Sequence, residues 1–197
     1  MRIGYSCGGW PSPYPPAEDT WQTMEAAEAA GAARLCVEIG AGSGVVARTA
    51  CRGSSYVVLS DIDPCSVATL HGLLSHLVDV VQADNASWLR RGAGSLLVIF
   101  NTPYLPDACS GPEELQWCGG LREALRLLTS LAGCRSCILV VTFSSLSGSL
   151  KGFMEYAGWL GFRVVRVISR RLFFETLYTV VLGAECLEES PARACRH

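Results

Sequence analysis

The sequence predicts a doubly wound α/β domain, a single seven-stranded and mostly parallel sheet that ends in an antiparallel hairpin. Three observations predict it. Short β-branched runs alternate with helical stretches, a Gly-rich turn follows the first such run, and the last two runs have no helix between them. The strands fall at residues 35–39, 56–60, 78–83, 96–100, 136–143, 163–169 and 176–182, and the helices at 20–30, 44–52, 64–75, 113–131 and 149–160. Pro64 opens the third helical stretch at a position where its missing N–H costs nothing. The turn Ser169-Arg170-Arg171 leads out of the sixth strand into the hairpin.

A chain of 197 residues suits one well-buried core. Hydrophobic residues make up 50% and charged residues 17%, against about 25% charged in a typical soluble protein. Mean hydropathy is +0.29. Such a balance implies a sheet buried on both faces and a part of the surface covered by a partner. The domain is expected over 14–183, with a loose arm at 1–13 and a flexible tail at 184–197. No apolar run approaches the roughly 20 residues of a membrane span. The Pro-rich opening has no apolar h-region of a secretory signal, so a cytoplasmic chain, with nuclear presence allowed, is expected. The net charge of −2, with basic residues scattered except at Arg90-Arg91 and Arg170-Arg171, counts against tight binding to bare nucleic acid. The ten cysteines have no framework spacing, and residues such as Cys36 and Cys137 lie inside apolar runs. They read as reduced cysteines packed as small hydrophobes. Cys134-Arg-Ser-Cys137 is a lone CxxC, and no metal site is expected.

The first strand runs straight into Glu38-Ile39-Gly40-Ala41-Gly42-Ser43-Gly44. Glycines there allow a sharp turn and close approach of a ligand at the carboxyl end of the strand. An acid two residues before Gly40 suits a cofactor that carries an ammonium and a sulfonium better than one that carries phosphates. Asp61 ends the second strand, about 20 residues on, where such folds place a carboxylate on ribose hydroxyls. Asp84 follows the third strand and could accept from an adenine amino group. Taken singly, Asp61 also reads as a helix cap ahead of Pro64 and Asp84 as a turn residue beside Asn85.

After the fourth strand comes Asn101-Thr102-Pro103-Tyr104-Leu105-Pro106. An amide or aromatic amine nitrogen is a poor nucleophile because its lone pair is delocalised. The carbonyl of the Asn101 side chain and the backbone carbonyl of Thr102 can each accept one N–H of a planar NH₂, orienting it and stabilising developing positive charge. Pro103 restricts Thr102 to extended backbone, which fixes that carbonyl. Tyr104 offers a flat face against the acceptor plane. A plain turn would use the same residue types.

Together, Glu38 to Gly44, Ser60-Asp61-Ile62-Asp63-Pro64, Asp84 and Asn101 to Pro106 resemble the HemK-type glutamine methyltransferases, which have the Rossmann-like class I methyltransferase fold. The segment Tyr14-Pro-Pro-Ala-Glu-Asp-Thr20 resembles the entry segment of the eukaryotic and archaeal branch. The resemblance implies S-adenosylmethionine as cofactor and N5-methylation of the glutamine in the Gly-Gly-Gln motif of a class 1 translation termination factor. It also implies a heterodimer with a small zinc-binding activator subunit. Thr20 would lie near the methionyl end, Glu38, Gly40 and Gly42 would line the turn, Asp61 with Ile62 would hold the ribose, and Asp84 with Asn85 the adenine. Asn101 would touch both cofactor and acceptor, with Thr102, Pro103 and Tyr104 completing the acceptor loop. The family's usual second residue is Pro where this chain has Thr102, so a less rigid loop is expected.

If the third strand is a sheet edge, the apolar stretch around it invites a partner. The activator is expected on Leu73, Leu74, Leu77 and Val78, which could equally be core. Two other functions share these motifs: methylation of a nucleic acid (adenine N6) or small molecule, and a catalytically silent scaffold that binds cofactor for structural reasons.

Overall fold

In a computed structural model, residues 14–72, 78–90, 94–104 and 119–184 are described. They form β1 (Leu35–Ile39), β2 (Tyr56–Asp61), β3 (Val78–Gln82), β4 (Leu96–Asn101), β5 (Cys137–Ser144), β6 (Phe162–Arg171) and β7 (Thr176–Ala184). The helices are α1 (Glu18–Ala30), α2 (Val45–Ala50), α3 (Pro64–His71), α4 (Leu121–Leu131) and α5 (Leu150–Trp159). The sheet order is β3-β2-β1-β4-β5-β7-β6. β1 to β5 pair in parallel, and β7 lies antiparallel between β5 and β6. The expected hairpin is therefore present, and β3 is an edge.

Alternation within the strands builds two layers, because successive side chains point to opposite faces. Val37, Ile39, Val98, Phe100, Leu139 and Val141 pack against α4 and α5 through Leu127, Leu128, Leu131 and Phe153. Their neighbours Cys36, Leu97, Ile99 and Val140 pack on the other face against Ala26 and Ala27 of α1 and Val46 and Ala47 of α2. Both faces are covered, which explains the low charged fraction. The fourth helix is described only from Leu121, after Gly120 at φ +60, and residues 113–118 lie outside the described part.

The cysteines differ from expectation. Cys36 of β1 and Cys51 at the end of α2 form a disulfide, and the sulfurs of Cys134, just ahead of β5, and Cys137, its first residue, lie against each other. Apolar surroundings do not separate the two cases in the sequence: β1 and α2 pack directly on each other, so a thiol buried on one meets a thiol buried on the other.

The two sheet edges are unlike. On β6, Arg163, Arg166, Arg170 and Arg171 are exposed, and the register shifts between Val164 and Arg166, which blunts the edge against further pairing. On β3 the exposed residues are Asp79 and Gln82, with Val78, Val80 and Val81 half-buried and no register shift in its pairing with β2.

Candidate active site

The carboxyl ends of β1, β2 and β4 place the predicted residues along one edge of the sheet. Ile39 is paired with both Ser60 and Phe100, Asp61 with Gln82, and Asn101 with Thr142. The chain turns out of β1 through Gly40, Gly42 and Gly44, all at positive φ (62°, 52° and 69°). At Gly40 a Cβ would also stand 3.5 Å from the Phe100 ring.

Asp61 ties this turn down: its Oδ2 accepts from Gly42 N at 2.8 Å and its Oδ1 from Asp63 N at 2.9 Å. Burial raises its pKa above the usual carboxylate value, while those backbone donors pull it back. The helix cap that the sequence allowed for Asp61 is made by Asp63, which accepts from Cys65 N at 2.8 Å and Ser66 Oγ at 3.0 Å. Asp61 is thereby free of capping and held beside the turn, with Ile62 exposed next to it.

Glu38 is buried, and its Oε2 accepts from Ala47 N at 2.8 Å. Burial, followed in smaller measure by the nearby Asp61, raises its pKa from 4.5 to about 8, against the opposing Ala47 bond. A folded-state pKa above the unfolded one means that protonation favours the fold. The contribution is complete below about pH 4.5 and lost as pH rises through about 8. Glu38→Gln keeps an acceptor for Ala47 N and removes the titration. The wild-type melting temperature is therefore expected to fall relative to Glu38→Gln between about pH 4.5 and 8 and to run parallel above that, and curves parallel throughout would contradict it.

Asp84 has a protein partner in addition to the role expected of it. Its carboxylate is engaged by Arg126 at 2.8 and 3.2 Å, and Arg126 also meets Glu123 at 2.7 Å. Asn85 takes the left-handed region (φ 53°), donates to Glu123 and accepts from Ala86 N. Both residues thus have protein partners that the sequence did not foretell, since Glu123 and Arg126 lie one turn apart on α4.

The acceptor loop holds the decisive geometry. Asn101 Nδ2 donates to Asp19 Oδ2 at 2.8 Å. A carboxylate only accepts, so this bond forces the amide nitrogen toward Asp19 and turns Oδ1 the other way. Oδ1 is buried and has no hydrogen-bond partner among the described residues. A buried carbonyl without a donor is costly and marks a place for one. Asp19, 2% exposed, sits in the first turn of α1, and sequence reading missed it because two acids at a helix start look like dipole partners. Its backbone is anchored as well: Thr23 Oγ1 donates to Asp19 O at 2.7 Å and lies 2.6 Å from Thr142 Oγ1, which in turn is 2.8 Å from Thr179 Oγ1. Thr20 is buried beside it, with its Oγ1 accepting from Ala17 N.

Thr102 is anchored twice to the neighbouring strand. Its N and its Oγ1 both donate to Thr142 O, at 3.0 and 2.8 Å, so the hydroxyl supplies an anchor that proline would lack. Tyr104 O accepts from Ser147 Oγ at 2.5 Å, and the Tyr104 phenol is hydrogen-bonded to Tyr14. Burial first, then the charge of Asp19, raises the pKa of both phenols, so they stay protonated at neutral pH.

No protein-family model matches the chain. Among curated proteins, mouse "Methyltransferase HEMK2" is 32% identical over 129 aligned positions that cover 57% of this chain and 60% of the relative. Over that aligned stretch the chain is similar to this methyltransferase. It spans about 60% of the length of the curated relative it matches. Among solved structures, the Mtq2-Trm112 complex of E. cuniculi, described as responsible for methylation of the eRF1 translation termination factor, aligns with TM-score 0.70 and 21% identity. That alignment covers 89% of this chain and 100% of the other. Magnesium protoporphyrin IX methyltransferase (ChlM) from Synechocystis PCC 6803 with bound SAM aligns with TM-score 0.61 and 14% identity, over 84% of this chain and 78% of the other. The fold is that of the class I methyltransferases.

Proposed function

We propose that the chain is the catalytic subunit of an S-adenosylmethionine-dependent methyltransferase that acts on the side-chain amide of the glutamine in a termination factor's Gly-Gly-Gln motif. The observation that carries this reading is the orientation of Asn101: Nδ2 fixed on Asp19, and a buried Oδ1 left without a donor among the described residues. An NH₂ group supplies the missing donor, and a planar one keeps its second N–H in the same plane for the Thr102 carbonyl.

When bound, S-adenosylmethionine supplies an electrophilic methyl group on a sulfonium. The residues that suit it are Gly40 and Gly42, whose turn leaves room for close approach, Asp61 for the ribose hydroxyls, Ile62 for apolar contact, and buried Glu38, whose ionisation the cofactor's positive charge would favour. Asn101 and Thr102 bind and orient the acceptor nitrogen. As the new N–C bond forms and the C–S bond breaks, these two carbonyls stabilise the charge that develops on the nitrogen. The surplus N–H proton then leaves to solvent. Tyr104, kept neutral, packs on the acceptor plane. Asp61→Ala is expected to weaken cofactor affinity about 10- to 100-fold, because the ribose contact and the brace on Gly42 go together. Calorimetric titration checks it.

The second subunit is placed by the same reading on the β3 edge. That edge lacks the arginines and the register shift that blunt β6, and Val78 lies on it half-buried. Leu73, Leu74 and Leu77 of the expected contact lie outside the described residues. The partner is a small activator, zinc-binding as the resemblance implies.

The test of the reaction is transfer from labelled cofactor to a recombinant termination factor, located by fragment mass spectrometry. A methyl group on the glutamine side-chain nitrogen supports the proposal. Transfer to adenine in DNA or RNA, with none to the factor, overturns it.

A further inference from the structure

The β6–β7 connection carries an exposed aromatic pair for which the fold has no use. Arg171 pairs with Thr176, and Leu172 N donates to Glu175 O at 2.8 Å, so Phe173 and Phe174 occupy the two central positions of a tight turn. They are 99% and 94% exposed. Their rings lie 6.5 Å apart, tilted at 43°. Tight hairpin turns favour Asn-Gly or Gly-containing pairs at positive φ, and neither Phe adopts positive φ. Two phenylalanines there are unfavourable for the turn and for hydration alike, and no described residue covers them.

The position of this turn gives the pair a purpose. β7 begins beside the end of β5, with Ser144 paired to Leu177, so the turn projects from the same edge of the sheet as Asn101. The base of the turn is fastened to that edge. Ser144 Oγ donates to Glu175, Thr176 N donates to Ser145 Oγ at 2.9 Å, and Ser145 N donates to Thr176 O at 2.9 Å. Two residues further, Ser147 holds the Tyr104 carbonyl. Leu146, 46% exposed, lies between these anchors, and the Glu175 charge is felt at both Tyr104 and Tyr14. A braced apolar rim therefore runs from the acceptor loop, over Leu146, to Phe173 and Phe174. Between Asn101 and β7 lie two strand spacings, about 10 Å, which an extended peptide crosses in roughly three to four residues.

We infer that Phe173, Phe174 and Leu146 form a docking rim for the protein substrate, gripping an apolar, acid-flanked polypeptide segment next to the residue that receives the methyl group. Exposed Arg170 and Arg171 on the adjoining stem supply the complement to acids. A polypeptide fits better than a nucleic acid, because the rim next to Asn101 is apolar at Leu146, Phe173 and Phe174 and has only the two stem arginines for phosphates, too few for a basic footprint. The inference rests on the proposed reaction, and the experiment separates the two.

The test compares the wild-type enzyme, isolated with its small subunit, with a Phe173→Ser/Phe174→Ser variant. Two acceptors are used, the intact termination factor and a short peptide that holds only the Gly-Gly-Gln sequence. The variant is expected to raise KM for the intact factor about 10- to 30-fold. KM for the short peptide, cofactor affinity and melting temperature stay unchanged, and Phe173→Tyr/Phe174→Tyr restores the wild-type value. An unchanged KM for the factor overturns the docking rim and leaves the reaction standing. An equal rise for both acceptors also overturns it, since the effect would then be distortion of the acceptor loop. Labelled single-stranded oligonucleotide that binds wild type and not the variant would assign the rim to nucleic acid instead. Absence of wild-type transfer to either acceptor refutes the reaction on which the rim depends.

Discussion

Asn101→Ala is expected to reduce methyl transfer about 100- to 1,000-fold while leaving cofactor affinity within about two-fold of wild type. The expectation follows from where the two halves of the side chain are committed. Nδ2 is spent on Asp19, so the substitution removes from the acceptor side only Oδ1, the buried carbonyl that has no donor among the described residues. Its hydrogen bond to the acceptor tightens as positive charge builds on nitrogen, which makes the loss a loss in kcat rather than in KM. Asp61, Glu38 and the glycine turn are untouched. Single-turnover transfer together with calorimetric binding reads both quantities. Equal loss of both would show that Asn101 serves the cofactor and not the acceptor.

Asp19→Asn is expected to lower kcat about 10-fold, and Asp19→Ala about 100-fold, with melting temperature little changed in the first. Asp19 touches neither methyl donor nor acceptor in this account and acts as a positioning residue. Its carboxylate can only accept, and that is what makes Asn101 present oxygen to the acceptor. An asparagine at 19 can offer either end, so the Asn101 amide loses its imposed orientation while the local packing persists. The distinguishing measurement is the double variant. In the Asn101→Ala background, Asp19→Asn should cost nothing further, because there is no amide left to orient. Additive losses would assign Asp19 to a separate task.

The architecture was legible because it depends on patterns local in sequence. β-branched runs of five to eight residues with both faces apolar could only be central strands, and β1 was located to the residue because Gly40 ends it. The hairpin, too, followed from a missing helix. The two carbonyl-bearing positions, Asn101 and Thr102, were visible because a strand end, a proline and a tyrosine follow one another in the chain. What stayed hidden depends on contacts between distant segments. Asp19 and Asn101 are 82 residues apart, and a helix-start acid carries no sign that it will face a strand end. Arg126 reaches back 42 residues to take Asp84. The pairing of Cys36 with Cys51 depends on how α2 lies on β1. The second anchor of Thr102 needs Thr142, the neighbour of Asn101 on the next strand.

The central claim is that this site methylates a planar side-chain amide. It is tested most directly by co-expressing the chain with its small subunit and measuring labelled methyl transfer to a termination factor and to the same factor with the Gly-Gly-Gln glutamine replaced by alanine. The account predicts incorporation into the first and none into the second. Equal incorporation into both would place the methyl group elsewhere and contradict the role given to Asn101.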